Sequence, residues 1–358
     1  MSLVPTRRQF LVRSGAATLA AWGFNRRSWA QDEPDLMTGI AVSAKYPETT
    51  GMIAIKDPSR FTVMQITDIH LNEEREEVPN AYERTISELK QLVDLYQPDL
   101  IAVTGDLWMD NEFGRGEEFM RDAVKQVSAL GRPWTFSWGN HDRLNDVVMG
   151  HDFFHDAEHC VYRGGPSNGN YTVDVVGPDG KPVWELLCLN THRNGLVGPC
   201  HEWLGKLAKE REGGAKRPGA FGLFHIPLKQ YAHAMTQELT AGIQLEAVCS
   251  GDENGSALGL LKSLGTVRAC FCGHDHVCDY SGNVDGIELV YGRSSGWAAY
   301  GWGEVRKGAK LITTNCETGN YVWETVFPDG LRWRPNPGQK IQKVLDEPWM
   351  KDPAAKAV

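Results

Sequence analysis

Carboxylates, imidazoles and one amide recur along this chain in five short clusters: Asp68-Ile69-His70, Gly105-Asp106, Gly139-Asn140-His141-Asp142, His225-Ile226-Pro227 and Gly273-His274-Asp275-His276. These are donors for hard-to-borderline divalent or trivalent cations, with no cysteine at the corresponding points. On an extended backbone Asp68 and His70 project to the same side, as do His274 and His276. Gly105, Gly139 and Gly273 suit tight turns where the backbone comes close to an ion or a phosphate. Each signal alone is weak, because Asp-x-His and Gly-Asp are common in turns and a single histidine after a strand is most often structural. Five such clusters in one order are a strong signal. The last lies inside Cys270-Phe-Cys-Gly-His-Asp-His-Val-Cys-Asp-Tyr280, a run that by itself fits a zinc knuckle, a disulfide corner or half of a catalytic metal site.

Each cluster directly follows a segment with a strand signature: Phe61–Ile66, Asp99–Val103, Trp134–Trp138, Ala220–Phe224 and Val267–Phe271. Apolar spacing predicts helices over Ala81–Tyr96, Glu117–Leu130, Glu202–Lys209 and Ala257–Leu264. Tyr171–Val176 and Val183–Leu189 form a predicted hairpin across Gly177–Gly180, and Ile287–Tyr291, Lys310–Thr314 and Tyr321–Val326 are further predicted strands. This alternation predicts an α/β layered fold with mixed sheets. In open α/β sheets, ligands bind outside the carboxyl ends of strands, so the five clusters are expected to meet in space. The simplest organisation is one catalytic domain, 59–330. It follows an irregular lead-in, 31–58, and precedes a Pro- and Lys-bearing tail, 331–358, that straps the surface or stays partly disordered.

Residues 1–30 read as an export signal. Thr6-Arg7-Arg8-Gln9-Phe10-Leu11 is a twin-arginine pattern, a weakly apolar stretch runs on to Phe24, and Ser28-Trp29-Ala30 has the form of a cleavage site. This predicts a bacterial protein that engages the twin-arginine export machinery and resides in the periplasm or outside the cell. Cleavage removes five arginines and no acidic residue, so the formal charge of −9 becomes −14. Such an acidic chain repels polyanions, which disfavours nucleic acid as a partner. Stable membrane insertion is not expected, because no apolar run approaches the ~20 residues of a span. Seven of the eight cysteines lie beyond residue 180 without regular spacing, so one or two disulfides are compatible with the compartment but cannot be assigned.

The ordered set Asp-x-His, Gly-Asp, Gly-Asn-His-Asp, His and Gly-His-x-His resembles the calcineurin-like metallophosphoesterase superfamily, over about residues 60 to 277. His225-Ile-Pro-Leu228, the Asp279-Tyr280 pair, Tyr291-Gly292 and the Gly- and aromatic-rich run Gly296–Gly303 are similar to the purple-acid-phosphatase-related branch. The resemblance implies a four-layer α/β/β/α sandwich of two mixed β-sheets flanked by helices, with two metal ions. It implies that Asp68, His70 and His276 hold the first metal, that Asn140, His225 and His274 hold the second, and that Asp106 bridges them. Two residues depart from purple acid phosphatases proper: Met109 stands where they carry a tyrosine ligand, and His70 stands where they have no histidine. The tyrosinate–iron colour is therefore not expected, and iron, zinc and manganese all remain open.

The expected activity is hydrolysis of a small phosphorylated substrate by a metal-activated hydroxide, with monoesters as the leading class. A cyclic-nucleotide or other phosphodiesterase is the alternative, and a non-enzymatic metal or phosphate binder a remote third. His141 is the candidate general acid, with Asp142 fixing its tautomer. His192 and Arg193 are read as a solvated loop, with substrate contact as the alternative. His151, His155 and His159 are read as one partly exposed helix face. Gly296–Gly303 is an aromatic loop for which pocket lining and packing are equally supported. Cys270 and Cys272 are expected to fill the core, with Cys278 near the pocket rim.

Overall fold

The computed structural model describes residues 41–73, 75–234 and 241–335. The expected export signal and the tail beyond 335 lie outside the described residues. In chain order the strands are β1 (Thr50–Ala54), β2 (Phe61–Ile66), β3 (Leu100–Thr104), β4 (Trp134–Ser137), β5 (Tyr171–Val176), β6 (Pro182–Cys188) and β7 (Ala220–Leu223). They continue as β8 (Ala241–Gln244), β9 (Val267–Cys272), β10 (Cys278–Val284), β11 (Ile287–Tyr291), β12 (Ala309–Asn315), β13 (Asn320–Val326) and β14 (Arg332–Trp333). The helices are α1 (Ala81–Tyr96), α2 (Gly116–Ser128), α3 (Val147–Asp156), α4 (Pro199–Arg211), α5 (Tyr231–Ala234) and α6 (Ala257–Ser263).

Two mixed sheets result, one of order β1-β5-β6-β7-β9-β11-β10-β8 and one of order β14-β13-β12-β2-β3-β4. Strands β2, β3 and β4 run parallel, and so do β6, β7, β9 and β11. Of these, β2, β3, β4, β7 and β9 carry the five clusters. The sheets stack face to face through Phe221 against Tyr321, ring centroids 5.2 Å apart, and through Glu288, which accepts from Tyr321 Oη and Trp323 Nε1. Nearer the strand ends, Gln65 Nε2 donates to the Cys272 carbonyl at 2.9 Å, and Ser137 Oγ to the Leu223 carbonyl at 3.1 Å. Between the sheets Asp279 is fully buried and accepts from Arg293, Lys310 and Thr325. Buried charges are tolerated there because each is matched.

The outer layers follow from helical periodicity. Along α1, Ala81, Thr85, Leu89, Leu92, Val93 and Tyr96 form the buried stripe. The helix stops at Gln97, in the left-handed region just before Pro98. Phe119, Met120, Ala123, Val124 and Val127 do the same for α2. On the larger sheet, Cys200 and Leu204 of α4 and Leu258 and Leu261 of α6 pack with Leu187, Cys270 and Leu289. No described helix is long and apolar enough to cross a membrane.

The predicted strands and three of the four predicted helices fall within a residue or two of their bounds, whereas α4 starts three residues earlier, at Pro199, and α3, α5 and β8 carry no predicted bounds. Three further segments differ. The lead-in is not wholly irregular: β1 pairs in parallel with β5 and buries only Gly51 and Ile53, too short an apolar pattern to read in advance. Strand β10 carries Asp279, Ser281 and Asn283, yet lies between β11 and β8, where its neighbours rather than its own apolarity make it a strand. The start of the tail pairs with β13 as β14.

Candidate metal centre

Asp106 organises the site. Strand β3 ends in Gly105, whose φ is +87° and where a Cβ would lie 2.5 Å from His225 Cγ, so only glycine lets the chain turn there. The Asp106 carbonyl then accepts the N–H groups of Ile69 (2.9 Å) and His70 (3.0 Å), lacing the loop after β2 to the loop after β3. Its carboxylate Oδ1 accepts the His141 N–H at 2.8 Å, tying in the loop after β4. From the other sheet, the His274 N–H donates to Asp68 Oδ1 at 3.0 Å. A Cβ on Gly273 would fall 2.0 Å from Thr67 Oγ1 and 2.7 Å from Asp68 Oδ2. Asp68, His70, Asp106 and His274 all have left-handed φ values between 49° and 79°. Each costs about 1–2 kcal/mol outside glycine, a strain typical of sites rather than scaffolds.

Two donor clusters share Asp106. In the first, the ligand atoms of Asp68, His70, Asp106 and His276 lie within 4.8 Å of one another. Here His276 Nε2 is 3.2 Å from Asp68 Oδ1, and His70 Nε2 is 3.5 Å from Asp106 Oδ2. The second comprises Asp106, His225 and His274 under the same limit. Asn140 joins it, because its Oδ1 and Asp106 Oδ2 lie 3.1 and 3.0 Å from His225 Nε2. Whether a cation fits is tested by the nitrogens. His70 Nε2 is buried without a hydrogen-bond partner. His225 Nδ1 lies 2.9 Å from the Thr104 carbonyl, a bond that fixes one proton there and turns Nε2 toward the cluster.

The electrostatics agree. Burial raises the Asp68 and Asp106 pKa values, but His276 beside the first and His225 beside the second hold both well below the carboxylate range. His225 in turn is pushed up to about 10, Asp106 outweighing its burial. Burial keeps His70 and His276 low and His274 at about 3, so these three are neutral donors. A cation would therefore meet two carboxylates, neutral imidazoles and one exchangeable proton on His225. The residues fit two metal ions, with Asp106 common to both donor sets. Met109 Sδ sits 3.2 Å from His70 Nδ1.

One expected role is corrected. Asp142 does not orient His141: its oxygens accept the N–H groups of Asp106 (2.8 Å), Leu107 (2.7 Å) and Gly139 (2.7 Å). It is a buried clasp between two loops, and burial, then Asp106, raise its pKa to about 7. The carboxylate at His141 is Asp110, whose Oδ2 lies 3.2 Å from Nδ1 and whose Oδ1 lies 2.9 Å from Arg143 Nε. Burial lowers the His141 pKa, but Asp106 and Asp110 outweigh it and leave the value raised. Asp110 lies four residues after Asp106, and only that spacing within Gly105-Asp-Leu-Trp-Met-Asp110 could have pointed to it.

The lesser candidates separate. His192 is not a solvated loop residue: its Nε2 lies 2.9 Å from both Asn168 Nδ2 and Asn190 Nδ2, and burial lowers its pKa to about 4. The three spaced histidines do not share an exposed face. His151 is buried, bonded to Tyr162 Oη and the Ala41 carbonyl, His155 stacks on Tyr46, and His159 lies beyond the end of α3. The aromatic loop does both things expected of it. Trp297 anchors on α1 through Thr85 and Glu88, while Tyr300 stacks on His276 with ring centroids 3.9 Å apart. Sequence reasoning missed Lys307, which is buried beside Ser294 Oγ (2.9 Å) and the Tyr300 carbonyl (2.8 Å). Cys270, Cys272 and Cys278 are buried, unbridged members of the core. This removes the zinc-knuckle and disulfide readings and moves Cys278 away from the rim.

Comparison with known proteins is consistent with this geometry. The calcineurin-like phosphoesterase family matches residues 61–278. Among curated proteins the chain is similar to Probable inactive purple acid phosphatase 28 of Arabidopsis thaliana, 25% identical over 76% of this chain and 80% of that protein. It is also similar to Phosphatase DCR2 of Saccharomyces cerevisiae, 27% identical over 73% of this chain but only 52% of that longer protein. Among solved structures, purple acid phosphatase PPD1 from yellow lupin (Lupinus luteus) shares the fold, with a TM-score of 0.53 and 16% identity over 81% of this chain and 55% of that one. The family match spans more than half of the sequence and takes in every donor placed above, from Asp68 to His276, and the chain belongs to the calcineurin-like phosphoesterase family.

Proposed function

We propose that the chain is a dinuclear-metal phosphoesterase that hydrolyses phosphate monoesters, with His141 as general acid. The observation that carries this reading is the pair of donor clusters meeting at Asp106, with the His141 ring beside them, its centroid 5.1 Å from that of His70. The Arabidopsis relative's name includes the word inactive. In this chain all seven expected donors are present and converge, which supports activity here.

When bound, two cations would supply Lewis-acid stabilisation of a phosphate ester and lower the pKa of a water nucleophile; iron, zinc and manganese all suit the donors. Asp68, His70, His276 and Asp106 would hold one, and Asp106, Asn140, His225 and His274 the other. The chain's own part is preorganisation and proton delivery. Asp142 and Asp106 lock three loops through backbone N–H groups, so the donors need not rearrange during the reaction. Asp110 occupies Nδ1 of His141, which leaves Nε2 to give its proton to the departing alkoxide oxygen. Asp106 and Asp110 together favour that imidazolium.

Comparing p-nitrophenyl phosphate with bis-p-nitrophenyl phosphate tests the monoester preference: a higher kcat/KM on the monoester is expected, and the reverse order would identify a phosphodiesterase. Export by the twin-arginine machinery to the periplasm or beyond is part of the same proposal and rests on Arg7-Arg8 and their surroundings. Cell fractionation of the Arg7→Lys, Arg8→Lys chain should find it retained in the cytoplasm, and unchanged export would refute the assignment.

A further inference from the structure

The loop between β8 and α6 runs past the second donor cluster and presents a thiol to it. Cys249 is exposed, whereas six of the other cysteines are buried and Cys316 is intermediate. Its backbone N–H donates to Asp275 Oδ2 at 3.1 Å, and Tyr291 Oη donates to the same oxygen at 2.5 Å. Glu246, three residues before Cys249, accepts from the Val277 N–H at 3.0 Å and from Tyr300 Oη at 2.9 Å. The segment that carries the thiol is thus fastened to the strand-end loop that carries His274. The Cys249 sulfur, a His274 ring nitrogen and an Asp275 carboxylate oxygen all lie within 4.8 Å of one another. No step proposed above uses Cys249 or Asp275.

From this we infer that Cys249, His274 and Asp275 form a rim site for a thiophilic divalent cation such as Zn²⁺ or Cd²⁺. One thiolate, one imidazole and one carboxylate suit such an ion, and the exposed side at Cys249 leaves room for water as a fourth ligand. His274 belongs to both this site and the Asp106–His225 cluster. A cation held at the rim therefore contends for a donor of the second metal, and excess Zn²⁺ or Cd²⁺ inhibits hydrolysis. That inhibitory half rests on the function proposed above, whereas the binding half does not.

The test titrates Cd²⁺ into the full chain already loaded with its two metals and follows sulfur-to-cadmium charge-transfer absorption. The wild type gains that absorption with one cadmium ion bound per chain. Cys249→Ser loses it, and Asp275→Asn weakens the apparent affinity by about tenfold or more, on the scale set by lost metal partners. Unchanged absorption in Cys249→Ser overturns the site, and so does wild-type affinity in Asp275→Asn, which would mean a lone thiol. In the same samples, inhibition by excess Cd²⁺ is relieved in Cys249→Ser, and undiminished inhibition overturns the inhibitory role. A loaded chain that hydrolyses neither nitrophenyl ester while the cadmium absorption still appears would refute the phosphoesterase reading and leave the rim site standing.

Discussion

Replacing Asp110 with asparagine removes the carboxylate from His141 while keeping a side chain of the same shape. The charges face each other across 3.2 Å. At an effective dielectric of about 20 that is ~5 kcal/mol before screening. Arg143, 2.9 Å from the same carboxylate, and the partial exposure of both partners cut this substantially. A net of about 1–2 kcal/mol is expected, which lowers the His141 pKa. The folded pKa is raised by Asp106 and then by Asp110, so the acid is populated below that pKa and lost as pH rises through it. The variant should therefore lose activity at a lower pH than the wild type. With an alkyl phosphate, whose leaving group needs a proton, kcat should fall about 10–100-fold at neutral pH, within the range general acids contribute. With p-nitrophenyl phosphate it should fall only a few-fold. Steady-state kinetics on both substrates across pH, with metal content measured on the same sample, is the assay. An equal loss on both substrates, or an unmoved alkaline limb at full metal content, would refute the reasoning.

His141→Ala should behave as a stronger version, keeping its metal while losing most alkyl phosphate hydrolysis; metal loss would assign the ring a structural part instead. In the metal-free chain Asp106 holds His225 protonated up to about pH 10. Loading therefore releases one proton, and apparent metal affinity should rise about tenfold per pH unit below that value; isothermal titration at pH 6 and 8 would expose a flat dependence. Asp279→Asn strips the counter-charge from Lys310 and Arg293, all three fully buried. It should cost about 3–5 kcal/mol in denaturant unfolding, and a change under 1 kcal/mol would contradict the matched-charge account. Gly273→Ala drives a Cβ into Thr67 and Asp68, so weaker metal binding should accompany about 1–3 kcal/mol of lost stability; wild-type affinity would show that the loop can yield.

The donors were legible because metal chemistry restricts residue type and because strand ends in such sheets converge by topology. Asp68 and His276 stand over two hundred residues apart, yet each follows a short apolar run that marks its strand. The positioning residues were harder to read. Asp142 sits next to His141 in sequence, but a residue at a turn need not face its neighbour, and backbone N–H groups from two loops claimed its carboxylate. Asp110 carries only its spacing from Asp106 as a signal, and Lys307 carries none; tertiary packing brings both to their places. Strand β10 shows the same limit for the fold, since an apolar pattern passes over Asp279, which is buried because Arg293, Lys310 and Thr325 meet it.

Elemental analysis of the chain purified from its native host tests the shared carboxylate most directly. The wild type should carry two metal ions per chain, and Asp106→Ala one or none, because both donor clusters lose the same residue. Two ions retained in Asp106→Ala, or fewer than one in the wild type, would contradict a dinuclear centre built on Asp106.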